Sequence, residues 1–69
     1  MNTPIPRYPH ARVRLVGEDG NAFAILGRTK RALQNVGASP EDVAAFIGEA
    51  TAGNYDDLLA TVMRWVEAE

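Results

Sequence analysis

Sixty-nine residues, 32 of them apolar and 16 charged, allow one small globular domain and exclude larger multidomain designs. With no cysteine, no apolar run of the roughly 18–20 residues a membrane span needs and no secretory leader pattern, the chain reads as cytoplasmic, without disulfides, thiolate chemistry or a membrane partner. The net charge of −2 is divided unevenly: residues 1–35 carry six cations against Glu18 and Asp19, and residues 36–69 carry Arg64 alone against seven acids.

Residues 1–10, MNTPIPRYPH, hold three of the four prolines. Each fixes its own φ and pushes the preceding residue toward extended geometry, so the stretch reads as a flexible arm preceding a single domain over 11–69. From Ala11 the pattern becomes period-2: Val13 and Leu15 point one way and Arg12 and Arg14 the other. This predicts a half-exposed strand ending near Val16. A lone strand leaves backbone donors and acceptors unpaired, so a partner is required. The candidates are the C-terminal stretch Trp65 to Ala68 and the same strand of a second copy.

Gly17-Glu18-Asp19-Gly20-Asn21 reads as a turn in which Asn21 caps the helix that follows. Ala22, Ile25, Leu26, Thr29, Leu33 and Val36 fall on one stripe of a 3.6-residue period, and Phe23 widens it. Arg28, Lys30 and Arg31 occupy the second half, where cations suit the negative end of the helix dipole, and Gly37 fits the left-handed position just past the end. Gly27, inside the helix, is expected to admit the close approach of another element such as the Trp65 ring.

Ser39-Pro40-Glu41-Asp42 is the clearest helix start: a serine cap, proline at the first helical position and acid at the positive pole. Val43, Phe46, Ile47 and Ala50 form its inner stripe, and the helix stops near Ala52-Gly53. Asn54 caps a third helix with Asp56 and Asp57 in its first turn and Leu58, Leu59, Val62, Met63, Trp65 and Val66 facing inward. Continuing that helix through Glu67 and Glu69 would place acids at the negative pole, so Trp65 to Ala68 is expected to be extended and to supply the missing strand. The expected fold class is α+β: one N-terminal strand, three helices and a short C-terminal strand pairing with the first.

For chemistry the sequence offers little beyond cations. Strand, glycine-containing loop and helix occur in the order of phosphate-binding folds, but neither GxGxxG nor GxxxxGK[ST] is present, and Glu18 and Asp19 bring negative charge to that loop. No second histidine accompanies His10, and no calcium-loop spacing exists, so no metal and no cofactor are expected. The acids Glu49, Asp56 and Asp57 read as solvated or dipole-paired, and Ser39 and Thr51 have no neighbouring histidine base. About twenty large apolar side chains can barely line both a core and a catalytic cavity, so no catalytic residue is assigned. Arg12 and Arg14 on the strand, with Arg28 and Arg31 on the first helix, are the candidate binding residues, suited to a nucleotide or another anionic ligand. Duplex DNA fits poorly, because a recognition helix beginning Tyr55-Asp56-Asp57 would repel the groove.

Val13 to Phe23, Ile25-Leu26-Gly27-Arg28, Ala50 to Asp56, Leu58-Leu59 and Met63-Arg64-Trp65-Val66 together resemble a family of small uncharacterised proteins from bacterial and phage genomes. The resemblance implies a phage or mobile-element origin and carries no catalytic or binding residues. A fainter likeness links the three helices to ubiquitin-associated domains, although Val36-Gly37-Ala38 lacks the aromatic residue of that family's binding loop. The expected function is non-enzymatic: binding of a protein partner or of a second copy as a homodimer, through an open strand edge and segregated charge. The alternative is a counter-defence type of protein that holds an anionic ligand.

Overall fold

The alternation in the N-terminal third does produce a strand, but it starts earlier than the pattern suggests. In the computed structural model, which describes residues 5–15 and 20–69, strand β1 runs Tyr8–Val13 and is followed by helices α1 (Ala22–Asn35), α2 (Pro40–Ala50) and α3 (Tyr55–Trp65) and by strand β2 (Val66–Ala68). The fold is α+β. Residues 8–10, expected in a flexible arm, are part of β1 instead, because a partner exists to receive them. Tyr8 pairs with Val66, and the Arg7 N–H donates to the Arg64 carbonyl at 3.0 Å. Residues 1–4 lie outside the described residues, as does Val16, the expected strand end.

The two strands are parallel, as they must be when a three-helix connection carries the chain back to the same end of the sheet. The register advances from Tyr8↔Val66 to Arg12↔Glu67, so β1 contains a bulge. Pro9, which has no N–H to give, falls inside it; an edge strand tolerates such a residue. Beyond Val13 the ladder continues through the Glu69 N–H to the Val13 carbonyl at 2.8 Å and the Leu15 N–H to the Glu69 carbonyl at 2.7 Å. Ala11 and Val13 turn inward while Arg12 and Arg14 remain exposed, as period-2 geometry requires.

Each helix begins at a side-chain cap. Asn21 Oδ1 accepts from the Phe23 and Ala24 amides, Ser39 Oγ accepts from the Asp42 amide, and Asn54 and Asp57 form a reciprocal capping box. Gly37, with φ of 83°, closes α1 in the left-handed conformation that glycine tolerates. Gly53 is required for a different reason. A Cβ there would come within 2.0 Å of the Asp57 carboxylate, the group that completes the cap of α3.

Ile25 and Leu33 of α1, Val43, Phe46 and Ala50 of α2, Leu58, Val62 and Trp65 of α3, and Ala11, Val13 and Val66 of the strands make one core. Two buried threonines sit among them. Thr29 donates to the Ile25 carbonyl and Thr61 to the Asp57 carbonyl, so neither hydroxyl is left unsatisfied. Several expectations fail here. Phe23, expected to widen the inner stripe, is 83 % exposed, Ala22 and Val36 at the two ends of that stripe are exposed as well, and Met63, expected inside, is 55 % exposed. Thr61 takes the inner position of α3, because the face that meets α2 and the sheet is centred on Leu58, Val62 and Trp65. Gly27 is exposed, and an added Cβ would meet nothing within 4 Å, so no ring approaches it. Gly27→Ala is therefore expected to raise stability by about 0.5–1 kcal/mol, through lost chain entropy in the unfolded state. A urea titration checks this, and a loss of stability would mean that another group occupies the space beside the helix.

Trp65, the last residue of α3, joins the strands to the helices. Its ring stacks on Tyr8 at 6.2 Å and meets Phe46 edge-on at 6.0 Å, its Nε1–H donates to Glu49 Oε1 at 3.0 Å, and the Arg7 guanidinium lies 4.9 Å from the ring centroid. Arg7 also pairs with Asp42 at 3.2 Å, and the Tyr8 hydroxyl donates to the same carboxylate. That hydrogen bond, with desolvation and the charge of Asp42, holds the Tyr8 phenol above its ordinary pKa, since ionisation would set two anions side by side.

Candidate functional site

Two short spacings bring the candidate cations together. On β1 and the residue after it, Arg12 and Arg14 are two apart and so share the exposed face. On α1, positions 28, 31, 32 and 35 follow i, i+3, i+4 and i+7 and form a stripe beside the buried one at Ile25, Thr29 and Leu33. Because α1 packs against β1, the two sets face a common seam. The result is an open groove of about 240 Å³ walled by Arg12, Arg14, Arg28 and Arg31, with Val13, Ala32 and Asn35 completing it. All four arginines singled out from the sequence meet there. Lys30 does not; it lines a separate groove between α1 and α2 with Val43 and Ile47.

The electrostatics of the groove are one-sided. Arg12 lies 3.9 Å from the Glu69 carboxylate, at an exposed position where such a pair contributes little. Arg28 is half-buried and already engaged within the protein. Arg14 and Arg31 are exposed and make no ion pair among the described residues. Like charges lining one concavity repel one another, an effect that salt screens beyond a Debye length. An anion in the groove would reverse the sign of that contribution. Guanidinium forks also match the oxygens of phosphate and carboxylate two at a time, and the Asn35 amide adds a neutral donor and acceptor.

The remaining polar candidates have structural occupations. Ser39 caps α2, Thr51 donates to the Ile47 carbonyl, Asp57 completes the cap of α3, and Glu49 receives the Trp65 indole and pairs with Arg64 at 3.8 Å. His10 lies on the exposed part of β1. Among the described residues no group of three histidine or acidic side chains is placed to hold a metal ion, and no helix is long and apolar enough to cross a membrane. The loop considered for phosphate binding lies largely outside the described residues. Arg7, which the sequence did not single out, makes structural contacts outside the groove. Its contacts with Trp65 and Asp42 span most of the chain, and no local pattern announces them.

Comparison with family models, with curated proteins and with solved structures gave no match for this chain.

Proposed function

We propose that the protein is a non-enzymatic binding protein that holds a phosphate-bearing ligand, a nucleotide or a short oligonucleotide, in the arginine groove between β1 and α1. The observation that supports this reading is the convergence of Arg12, Arg14, Arg28 and Arg31 on one concavity although they come from two parts of the fold and span 20 residues of the chain. A solvated charged face needs no such convergence. The overall negative charge limits indiscriminate attraction to polyanions, so the groove would select a compact anion over a long duplex.

The test is thermal unfolding against nucleoside mono-, di- and triphosphates and short oligonucleotides, at low and at high salt. A ligand at about 100 times its Kd stabilises the folded state by roughly 2.7 kcal/mol, which for a domain of this size raises Tm by on the order of 10 °C. The gain should shrink with added salt. Replacing Arg14 and Arg31 by alanine should cost about 1.5–3 kcal/mol of binding per charged hydrogen bond lost, with little effect on the stability of the free protein, since both side chains are exposed. No shift across the panel would end this reading.

A second reading rests on the sheet. Two strands leave each with one edge that no strand covers among the described residues, which is the geometry that β-augmentation by a protein partner or a second copy uses. It predicts a concentration-dependent dimer in light scattering; a monomer at every concentration removes the homodimer version.

A further inference from the structure

The arginine groove has room for one end of a nucleotide and not for the whole. Its volume of about 240 Å³ falls below the roughly 300–1,000 Å³ of pockets that enclose a drug-sized molecule. The lining decides which end enters. Four of its members are arginines and one is the Asn35 amide, and the apolar remainder, Val13 and Ala32, consists of small side chains. The described residues include all five aromatic side chains of the chain, and none lines the groove: Tyr8 and Phe46 pack on the Trp65 ring, and Phe23 and Tyr55 lie beside a separate hollow. A base held by a protein is commonly stacked on an aromatic face. This groove offers no such face, but it offers guanidinium forks.

Those forks come from two sides. Arg12 and Arg14 extend from β1 and the residue after it, and Arg28 and Arg31 extend from α1. Each side contributes one exposed arginine that makes no ion pair among the described residues, Arg14 on the strand side and Arg31 on the helix side. A single phosphate satisfies the forks of one side. A chain of two or three phosphates offers oxygens to both sides and offsets the repulsion between them. On the reading of this groove as a phosphate site, we infer that it recognises an oligophosphate chain by the number of its phosphates, with the base left outside and unread. The ligand class is a nucleoside di- or triphosphate of any base, or the same phosphate chain in inorganic form.

The experiment is calorimetric titration of the full chain at low salt and without divalent cations, which would bind the phosphates themselves. Orthophosphate, pyrophosphate and tripolyphosphate form one series, AMP, ADP and ATP a second, and ATP, GTP, CTP and UTP a third. Affinity should rise by about tenfold or more from mono- to triphosphate in the first two series, since one further charge-assisted contact is enough for that. The four triphosphates should agree within about threefold, less than one stacked base contributes, and tripolyphosphate should displace ATP. Arg14→Ala and Arg31→Ala should each weaken tripolyphosphate more than orthophosphate, because either change leaves one side of the groove short of its exposed cation, while the Tm of the free protein stays unchanged. Three results would overturn the inference and still leave a phosphate site, provided that the Arg14→Ala, Arg31→Ala double variant abolishes the binding: equal affinity for AMP and ATP, a preference of about tenfold or more for one base, or a short oligonucleotide bound more tightly than tripolyphosphate. Binding of none of these anions, or binding indifferent to the double variant, would overturn the phosphate reading together with it.

Discussion

Trp65→Ala is expected to leave the chain largely unfolded in water at room temperature. The residue is 3 % exposed and its ring meets Phe46 of the core and the half-buried Tyr8, while its indole N–H is bonded to Glu49. Truncating a buried tryptophan costs about 3–5 kcal/mol, and lost aromatic pairing adds roughly 0.5–1.5 kcal/mol for each pair. At roughly 0.05–0.15 kcal/mol per residue, the whole domain has a stability of only about 3–10 kcal/mol. The loss is therefore comparable with the total. Trp65→Phe keeps most of the ring contacts and removes the bond to Glu49, so it should cost clearly less, about 1–3 kcal/mol. Circular dichroism during urea unfolding is the appropriate measurement, because Trp65 is the only tryptophan and fluorescence disappears with it. If Trp65→Ala unfolded within about 1 kcal/mol of the parent, an amount typical of an ordinary substitution, the joint between strands and helices would have to lie elsewhere.

Removal of residues 66–69 should be nearly as damaging, for a different reason. Val66 is fully buried, and its loss forfeits about 1.5–3 kcal/mol of apolar burial. The same cut removes the only strand partner of β1 among the described residues, including the bonds between Glu69 and both Val13 and Leu15. Each is worth roughly 0.5–1.5 kcal/mol net, and the β1 amides and carbonyls freed at the edge of the core lose their partners. A well-dispersed amide NMR spectrum from the shortened chain would show that the parallel pairing contributes little. Glu67→Thr is the control: its side chain is exposed, so the strand should persist with stability changed by less than about 0.5 kcal/mol. Because Arg12, Val13 and Arg14 hold their side of the groove only while β1 is paired, the shortened chain should also lose any ligand stabilisation.

Much of the helical architecture was legible because its signals are local. An asparagine or serine cap acts on amides two or three residues away, a glycine past a helix end acts on carbonyls a turn back, and a buried stripe is a spacing within one helix. Asn21, Ser39, Asn54 and Gly37 therefore perform the parts their positions suggest. The acids at Glu67 and Glu69 pointed to an extended stretch from Trp65 to Ala68; the strand is present but starts one residue later, at Val66, with Trp65 closing α3. The candidate arginines were legible for the same reason, since spacings of two on a strand and three on a helix place each pair on one face.

What was hidden depends on contacts across the chain. Tyr8-Pro9-His10 reads as an arm until Val66 and Trp65 are beside it, and Phe23 and Met63 read as core until the directions from which neighbours approach their helices are known.

The amino-acid order by itself determined where the helices begin and end and which strand residues alternate, because those choices are settled by interactions within a few residues. Only the tertiary structure decided that the strands run parallel, that β1 starts at Tyr8, that four arginines share one groove and that Phe23 is exposed. Each of those depends on how separately formed elements approach one another, and that is fixed by the joint burial of Trp65, Phe46 and Val66.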